Sequence, residues 1–292
     1  MTGGSSGPGR GAATRVVVCA DDYGFTPGVS EGIRQLLAAG RISATSVMTS
    51  CEPWPAEAAA LKAVAGAADI GLHVTLTDQV PIGRMPELAP DGRFPAMPAL
   101  YKAAVLRRLP LGEIEAEIER QVAAFVVHYG APPAHIDGHH HVHQLPGIRD
   151  IVVKAAARIG PGRTWVRCCA ERPALIARRG VATAKALVIG SFGGAVARRA
   201  KAAGVPVNDG FSGAYDYLGA GLDIEGLFRR FLTGARRNTV VMCHPGRVDE
   251  ALARRDVMVA AREAELAFLA SEAWPALLAE MGCEVGPLIR DR

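Results

Sequence analysis

Long apolar runs, paired cysteine motifs, lysines and aromatic residues are all scarce in this 292-residue chain. The uncharged stretch from Ala186 to Ala197 is only 12 residues long. A bilayer span takes roughly 20 apolar residues, so no transmembrane segment is expected. The opening MTGGSSGPGRGAATR has no apolar core of the kind a secretory signal needs. Residues 1–13 are therefore expected to be a disordered Gly/Ser/Pro-rich leader, 14–292 a single domain, and the compartment cytoplasmic. None of the six cysteines forms a C-x-x-C pair, and a chain of this length needs no disulfide framework. Cys19 and Cys243 sit in apolar strand-like runs, where a free thiol acts as a small hydrophobe.

Lysine supplies five of the 33 basic residues, at 62, 102, 154, 185 and 201. The arginine pairs (107–108, 178–179, 198–199, 229–230, 236–237, 254–255) are scattered, with no aromatic interleaving. A nucleic-acid interface concentrates its charge on one stripe, so the net charge of +4 reads as solvated helix faces. No nucleic-acid partner is expected. What is plentiful is apolar material. At 49% hydrophobic residues the chain can build a packed core and cannot be disordered as a whole.

The apolar residues are organised as alternating strands and helices. RVVVCA (15–20) is a β-branched run of the kind buried on both faces of a parallel sheet. Further strands are expected at 42–49, 69–76, 134–138, 164–167, 205–209 and 239–244. Helices are expected at 29–39, closed by Gly40, at 55–67, at 113–128, closed by Gly130, at 148–159, and through the tail at 256–281. Residues 78–112, rich in Pro and turn dipeptides, read as a long excursion able to serve as a lid or a homodimer contact. This alternation argues for an α/β fold with mostly parallel strands, and a distorted single-domain (β/α) barrel is the preferred architecture.

In such folds reactive groups gather at the carboxyl ends of the strands. Four predicted strand ends carry ionisable residues: Asp21-Asp22, His73, the segment His135-Ile-Asp-Gly-His-His-His-Val-His143, and His244-Pro245-Gly246. Taken singly, each has a plain structural alternative: an Asp capping a helix, a satisfied core histidine, a surface histidine ending a strand. Five of the eight histidines within nine residues, mid-chain, is no affinity tag. Neutral imidazole is the commonest protein ligand for transition metals, and two such groups with one carboxylate form a facial set with open positions. Asp22, His73 and His139 are the expected ligands of one divalent cation. Asp21 is the expected general base, and His244 the expected acid that protonates a leaving amine. Arg167 and His143 are candidate substrate contacts, with a surface salt bridge the alternative for Arg167.

These residues resemble the YdjC-like carbohydrate deacetylases over about residues 15–250. The matching segments are Ala20-Asp21-Asp22-Tyr23-Gly24, Thr26-Pro27-Gly28-Val29 with Gly32-Ile33, Gly71 to Thr77, His135 to His143, and Cys243-His244-Pro245. The resemblance implies a distorted (β/α) barrel that removes the N-acetyl group of an amino sugar. It also implies a metal held at the positions of Asp22, His73 and His139. Magnesium is the family's usual ion, although two imidazoles suit Zn²⁺, Mn²⁺ or Co²⁺ as well. Tyr23 stands where many members have Phe, and Ser30 where many have Asn. Val205 to Phe211 resembles the hopanoid-associated branch, while the histidine cluster looks like the general sugar-deacetylase form. An oligosaccharide and a lipid-linked glucosamine both stay open as substrate. A metal-dependent phosphoesterase and a non-catalytic sugar-binding protein on the same scaffold are the alternatives.

Overall fold

The structure, a computed structural model, describes residues 12–218 and 221–290, so the expected leader falls largely outside it. The chain runs β1 (Thr14–Tyr23), α1 (Pro27–Ala38), β2 (Ala44–Val47), α2 (Trp54–Val64), β3 (Asp69–Val74), α3 (Met97–Val105), α4 (Leu111–Tyr129) and β4 (His135–Gly138). It continues through α5 (Ile148–Ile159), β5 (Trp165–Val166), α6 (Pro173–Arg179), α7 (Thr183–Ala202), β6 (Gly210–Ser212), α8 (Ile224–Leu232) and β7 (Thr239–Cys243). Helices α9 (Glu250–Arg255), α10 (Val259–Ala270) and α11 (Ala273–Glu280) precede the last strand, β8 (Cys283–Val285).

The strands form one curled parallel sheet in the order β5-β4-β3-β2-β1-β7-β6, with β8 pairing the start of β1. Helical crossovers between parallel neighbours place helices over the sheet, as the right-handed crossover rule requires. The centre of the sheet is β1, where Val16, Val17 and Val18 are fully buried. Burying each such side chain contributes about 1.5–3 kcal/mol. At the open side, the Val166 amide donates to the Pro206 carbonyl at 3.0 Å and Val166 bridges Val207. That contact ties the β5 edge to the chain entering β6 and closes the curl into a distorted barrel.

Helix ends follow local chemistry. The Thr26 hydroxyl accepts the Val29 N–H at the start of α1, and Gly130 closes α4 in the left-handed region at φ 80°. In β3, Gly71 is set by packing, because a Cβ there would come within 2.3 Å of the His135 ring, which stacks on Trp165.

Three expectations need correction. The strand expected at 205–209 lies a few residues later, at β6. Pro206 has no N–H to give a ladder, and the Asn208 side chain bonds the Cys168 backbone in place of a strand neighbour. The tail helix expected over 256–281 starts later, at Val259, and is broken at Ser271; the Asp256 and Ser271 side chains accept the Met258 and Ala273 N–H groups at these two points. Strand β8 beyond it was not expected at all. The 78–112 excursion contains α3 and buries Met85, Ala89, Phe94, Leu100 and Ala104 in the core, so it is a packed segment. All six cysteines are buried and free. No helix among the described residues is long and apolar enough to cross a membrane.

Candidate active site

The carboxyl ends of β1, β3 and β4 meet at one point. At the end of β1 the register against β2 slips between Ala20 and Tyr23, and Asp22 takes a left-handed φ of 69°. Such a backbone is costly for a side-chain-bearing residue and persists where surrounding structure enforces it. His73 stands opposite Asp137 in the β3–β4 register. Past Gly138 the chain turns into a short 3₁₀ segment from His139 to Gln144, with His140 and His141 at φ 53° and 58°. Gly138 permits this turn, since a Cβ would meet Val142 at 2.9 Å and the Val74 carbonyl at 3.1 Å.

Ligand atoms of Asp22, His73 and His139 all lie within 4.8 Å of one another. Asp22 Oδ1 is 3.1 Å from His139 Nδ1 and 3.4 Å from His73 Nε2. The other nitrogen of His73, Nδ1, bonds Asp137 Oδ1 at 2.6 Å, which fixes the ring and leaves Nε2 facing Asp22. His140 Nδ1 pairs with the Thr77 hydroxyl at 3.0 Å, and His141 faces Cys169, so neither joins that trio.

Behind the trio lies a buried ionic layer. Arg167 donates to both oxygens of Asp21, at 2.6 and 2.7 Å, and to Asp137 Oδ2 at 2.5 Å. Arg262, from α10, donates to Asp22 Oδ2 at 2.7 Å and to Asp256 at 2.6 Å. Burial alone would raise the Asp22 carboxyl, but the charges of His139 and Arg262 hold it well below the usual range. Asp137 is held down in the same way by Arg167 and His73. Burial favours the neutral form of His73, yet Asp137 and Asp21 outweigh it and lift the ring to about 10. Three buried carboxylates thus share two guanidiniums, one of which also serves Asp256. That leaves more carboxylate than guanidinium charge in the layer, which the lifted His73 ring offsets in part and which a divalent cation would offset further. One carboxylate oxygen and two imidazole nitrogens are a donor set suited to such an ion.

The trio lines a cavity of about 550 Å³. His244, at the end of β7, is also on its wall. Its backbone N–H donates to Glu265 at 2.5 Å, its ring lies edge-on to Tyr217 at 5.1 Å, and its buried Nδ1 has no partner among the described residues. Burial pushes His244 down to about 4 against the opposing pull of Asp22 and Asp21. The Glu265 carboxyl, also accepting the Tyr215 hydroxyl at 2.6 Å, is pushed up by burial to about 7.

Arg167 and His143 are not where substrate contact requires them. Arg167 is fully buried, and its guanidinium is consumed by Asp21 and Asp137. His143 is fully buried too, and its Nε2 donates to the Arg167 carbonyl at 2.9 Å. Both brace the floor of the site; a strand-end position alone does not reveal which way a side chain points. Tyr23 and Ser30 likewise serve the scaffold: the Tyr23 hydroxyl bonds the Glu57 carbonyl at 2.9 Å, and Ser30 Oγ accepts the Gly24 N–H at 3.0 Å. Reasoning from strand ends missed Arg262 and Glu265 because they sit mid-helix. A signal existed, since both fall on the stripe that α10 buries through Ala261, Leu266 and Leu269.

The chain is 29% identical over 278 residues to the chitooligosaccharide deacetylase of Enterobacter sp. (strain 638), covering 94% of this chain and 98% of that one. It is 32% identical over 173 residues to the carbohydrate deacetylase of Mus musculus, covering 55% of each. Among solved structures, an Enterococcus faecalis V583 protein described as a cellobiose-phosphate cleavage protein superimposes with a TM-score of 0.69. At 20% identity, over 94% of this chain and 98% of that one, this likeness speaks for the fold alone. The YdjC-like protein family matches residues 15–280, and this chain belongs to it.

Proposed function

We propose that the protein is a metal-dependent hydrolase that removes the N-acetyl group from an amino sugar. The observation that carries this reading is the convergence of Asp22, His73 and His139 from three strand ends on the wall of one cavity. The naming of relatives as chitooligosaccharide and carbohydrate deacetylases supports it.

Asp22 Oδ1, His73 Nε2 and His139 would hold one divalent cation. The resemblance suggests Mg²⁺; the two imidazoles suit Zn²⁺, Mn²⁺ or Co²⁺. When bound, such an ion acidifies water and polarises an amide oxygen. Asp21 is our candidate base. Arg167 donates to both of its oxygens, at 2.6 and 2.7 Å, which fixes the orientation of the carboxylate. His244 is our candidate acid. Burial keeps its ring neutral at neutral pH, so it can hand a proton to a leaving amine only after taking one up from the attacking water. Asp137 keeps His73 oriented, and Arg167 keeps Asp137 ionised and holds Asp21 in place.

The substrate reading can be narrowed. Much of the cavity lining is apolar, including Met97, Val188, Ile189, Met242 and Met258, and Val188 is exposed. Such a wall suits an apolar group attached to the sugar, which favours a lipid-linked glucosamine over a long oligosaccharide. A phosphoesterase loses its one strand-end clamp candidate, because Arg167 is buried against Asp21 and Asp137.

The test is mass-spectrometric screening of N-acetylated glycans and alkyl glycosides for loss of one acetyl group, with and without chelator. Acetate release from the wild-type protein that chelator abolishes is expected. Equal turnover in chelator would remove the metal from the reading, and preference for chitobiose over alkyl glycosides would remove the apolar aglycone.

A further inference from the structure

Two charged side chains of α10, Arg262 and Glu265, are each only 1% exposed. Burying ionised groups is expensive unless partners repay it, and both find their partners in the site. Arg262 Nη2 donates to Asp22 Oδ2 at 2.7 Å and Nε to Asp256 Oδ2 at 2.6 Å. Its Nη1 lies 3.5 Å from the His244 carbonyl, and its guanidinium stands 5.7 Å from the centre of the Phe25 ring. Its own carbonyl accepts the Gly246 N–H at 3.2 Å. Glu265, one turn on, accepts the His244 N–H at 2.5 Å and the Tyr215 hydroxyl at 2.6 Å. One stretch of helix therefore grips a carboxylate on β1 and the loop that follows β7.

The grip on Asp22 divides its two oxygens. Oδ2 is committed to the guanidinium, while Oδ1 is the oxygen facing His139 and His73. A carboxylate beside a cation binds through one oxygen or through both, and a guanidinium fixed on Oδ2 removes the second mode. Keeping Asp22 to one oxygen leaves a coordination position for water or for the amide oxygen of a substrate.

We propose that α10 is the positioning element of the site: Arg262 confines Asp22 to single-oxygen ligation, and Glu265 anchors the backbone of His244. This rests on the metal-centre reading above and goes beyond it by assigning roles to two residues outside the family-like motifs. Both are positioning residues, since they act through Asp22 and His244.

The experiment compares wild type, R262M, R262K and E265L, each loaded with Co²⁺. Readouts are the visible absorption of the ion, its affinity by equilibrium dialysis, kcat and KM for acetate release from an N-acetylglucosamine glycoside, and circular dichroism of the metal-free chains. R262M should stay folded, shift the Co²⁺ bands as Oδ2 is released, and lose about 10–100-fold in kcat with little change in KM. R262K, whose ammonium still occupies Oδ2 without the fork geometry of arginine, should restore the wild-type bands and most of kcat. E265L should lower kcat while leaving the Co²⁺ bands unmoved, because it releases His244 and Tyr215, neither of them a proposed ligand. Wild-type bands and kcat in R262M, or the same band shift in E265L as in R262M, would overturn the proposal. If R262M fails to fold, R262K decides: bands displaced from wild type overturn the assignment, and wild-type bands with a modest kcat loss support it. A wild-type chain that binds no Co²⁺ overturns the metal-centre reading itself, an outcome distinct from a loaded wild type indifferent to Arg262.

Discussion

Asp21 and Asp22 are sequence neighbours in very different surroundings. The left-handed backbone of Asp22 turns its carboxylate toward His73 and His139, while Asp21 faces the Arg167 guanidinium. If the two roles are separate, Asp21→Asn should lower kcat roughly a hundred- to ten-thousand-fold while the protein still binds its metal stoichiometrically. Elemental quantitation beside the kinetics checks this, and near-normal turnover would strip Asp21 of its role. Glu265 allows a signed pH prediction. Its folded pKa of about 7 lies above the ordinary glutamate value of 4.5, so its contribution to stability is full below 4.5 and is lost as pH rises through 7. In chelator, wild type should lose stability relative to Glu265→Gln between pH 4.5 and 7, read as a narrowing difference in Tm. A difference in Tm that stays constant across that window would place the Glu265 pKa elsewhere.

At the scale of elements, the floor of the site depends on close contact between strands. Gly71 of β3 lies against the His135 ring, which is itself pinned by Trp165 and by a 2.9 Å bond to Ser46. Gly71→Ala should therefore cost about 1–3 kcal/mol, the usual range for overpacking a tight core, measured by denaturant unfolding. A cost near zero would show that β3 and β4 can separate without penalty. Arg167, just past β5, joins that strand to β1 and β4 through Asp21 and Asp137. Arg167→Met leaves two buried carboxylates without their cation, and a loss of about 3–5 kcal/mol is expected. Because Arg167 touches no cavity surface, its effect on KM should be small beside its effect on stability, which separates a floor residue from a substrate contact.

For the whole molecule, a cation held by three strand ends, as proposed, would couple ligand binding to folding. The unfolded chain cannot gather Asp22, His73 and His139, so a bound ion stabilises the fold by mass action, about 2.7 kcal/mol at a hundredfold excess over Kd. Chelator should lower Tm by a few degrees and abolish acetate release, with circular dichroism unchanged at 25 °C. A Tm indifferent to added Mn²⁺, Zn²⁺ or Co²⁺ would mean that no ion prefers the native state. The curled sheet also explains why the candidate site residues gather at one end: the described strands pair in parallel, so their carboxyl ends open on the same side.

The alternation of β-branched runs with helical stripes was legible in sequence because burial imposes period and composition on each segment separately. The strand ends with Asp22, His73, His139 and His244 were legible for the same reason, since ionisable residues stand out where apolar runs stop. The Val205–Asp209 segment misled because its composition suits a strand while Pro206 and Asn208 take the backbone bonds elsewhere. What only the tertiary structure decided is direction and partnership. Arg167 and His143 point inward to a buried ionic layer, and Arg262 and Glu265 reach the site from a helix more than 200 residues after Asp22. A local pattern reports how one segment meets water; which distant charge repays the burial of another is settled only when the chain has folded.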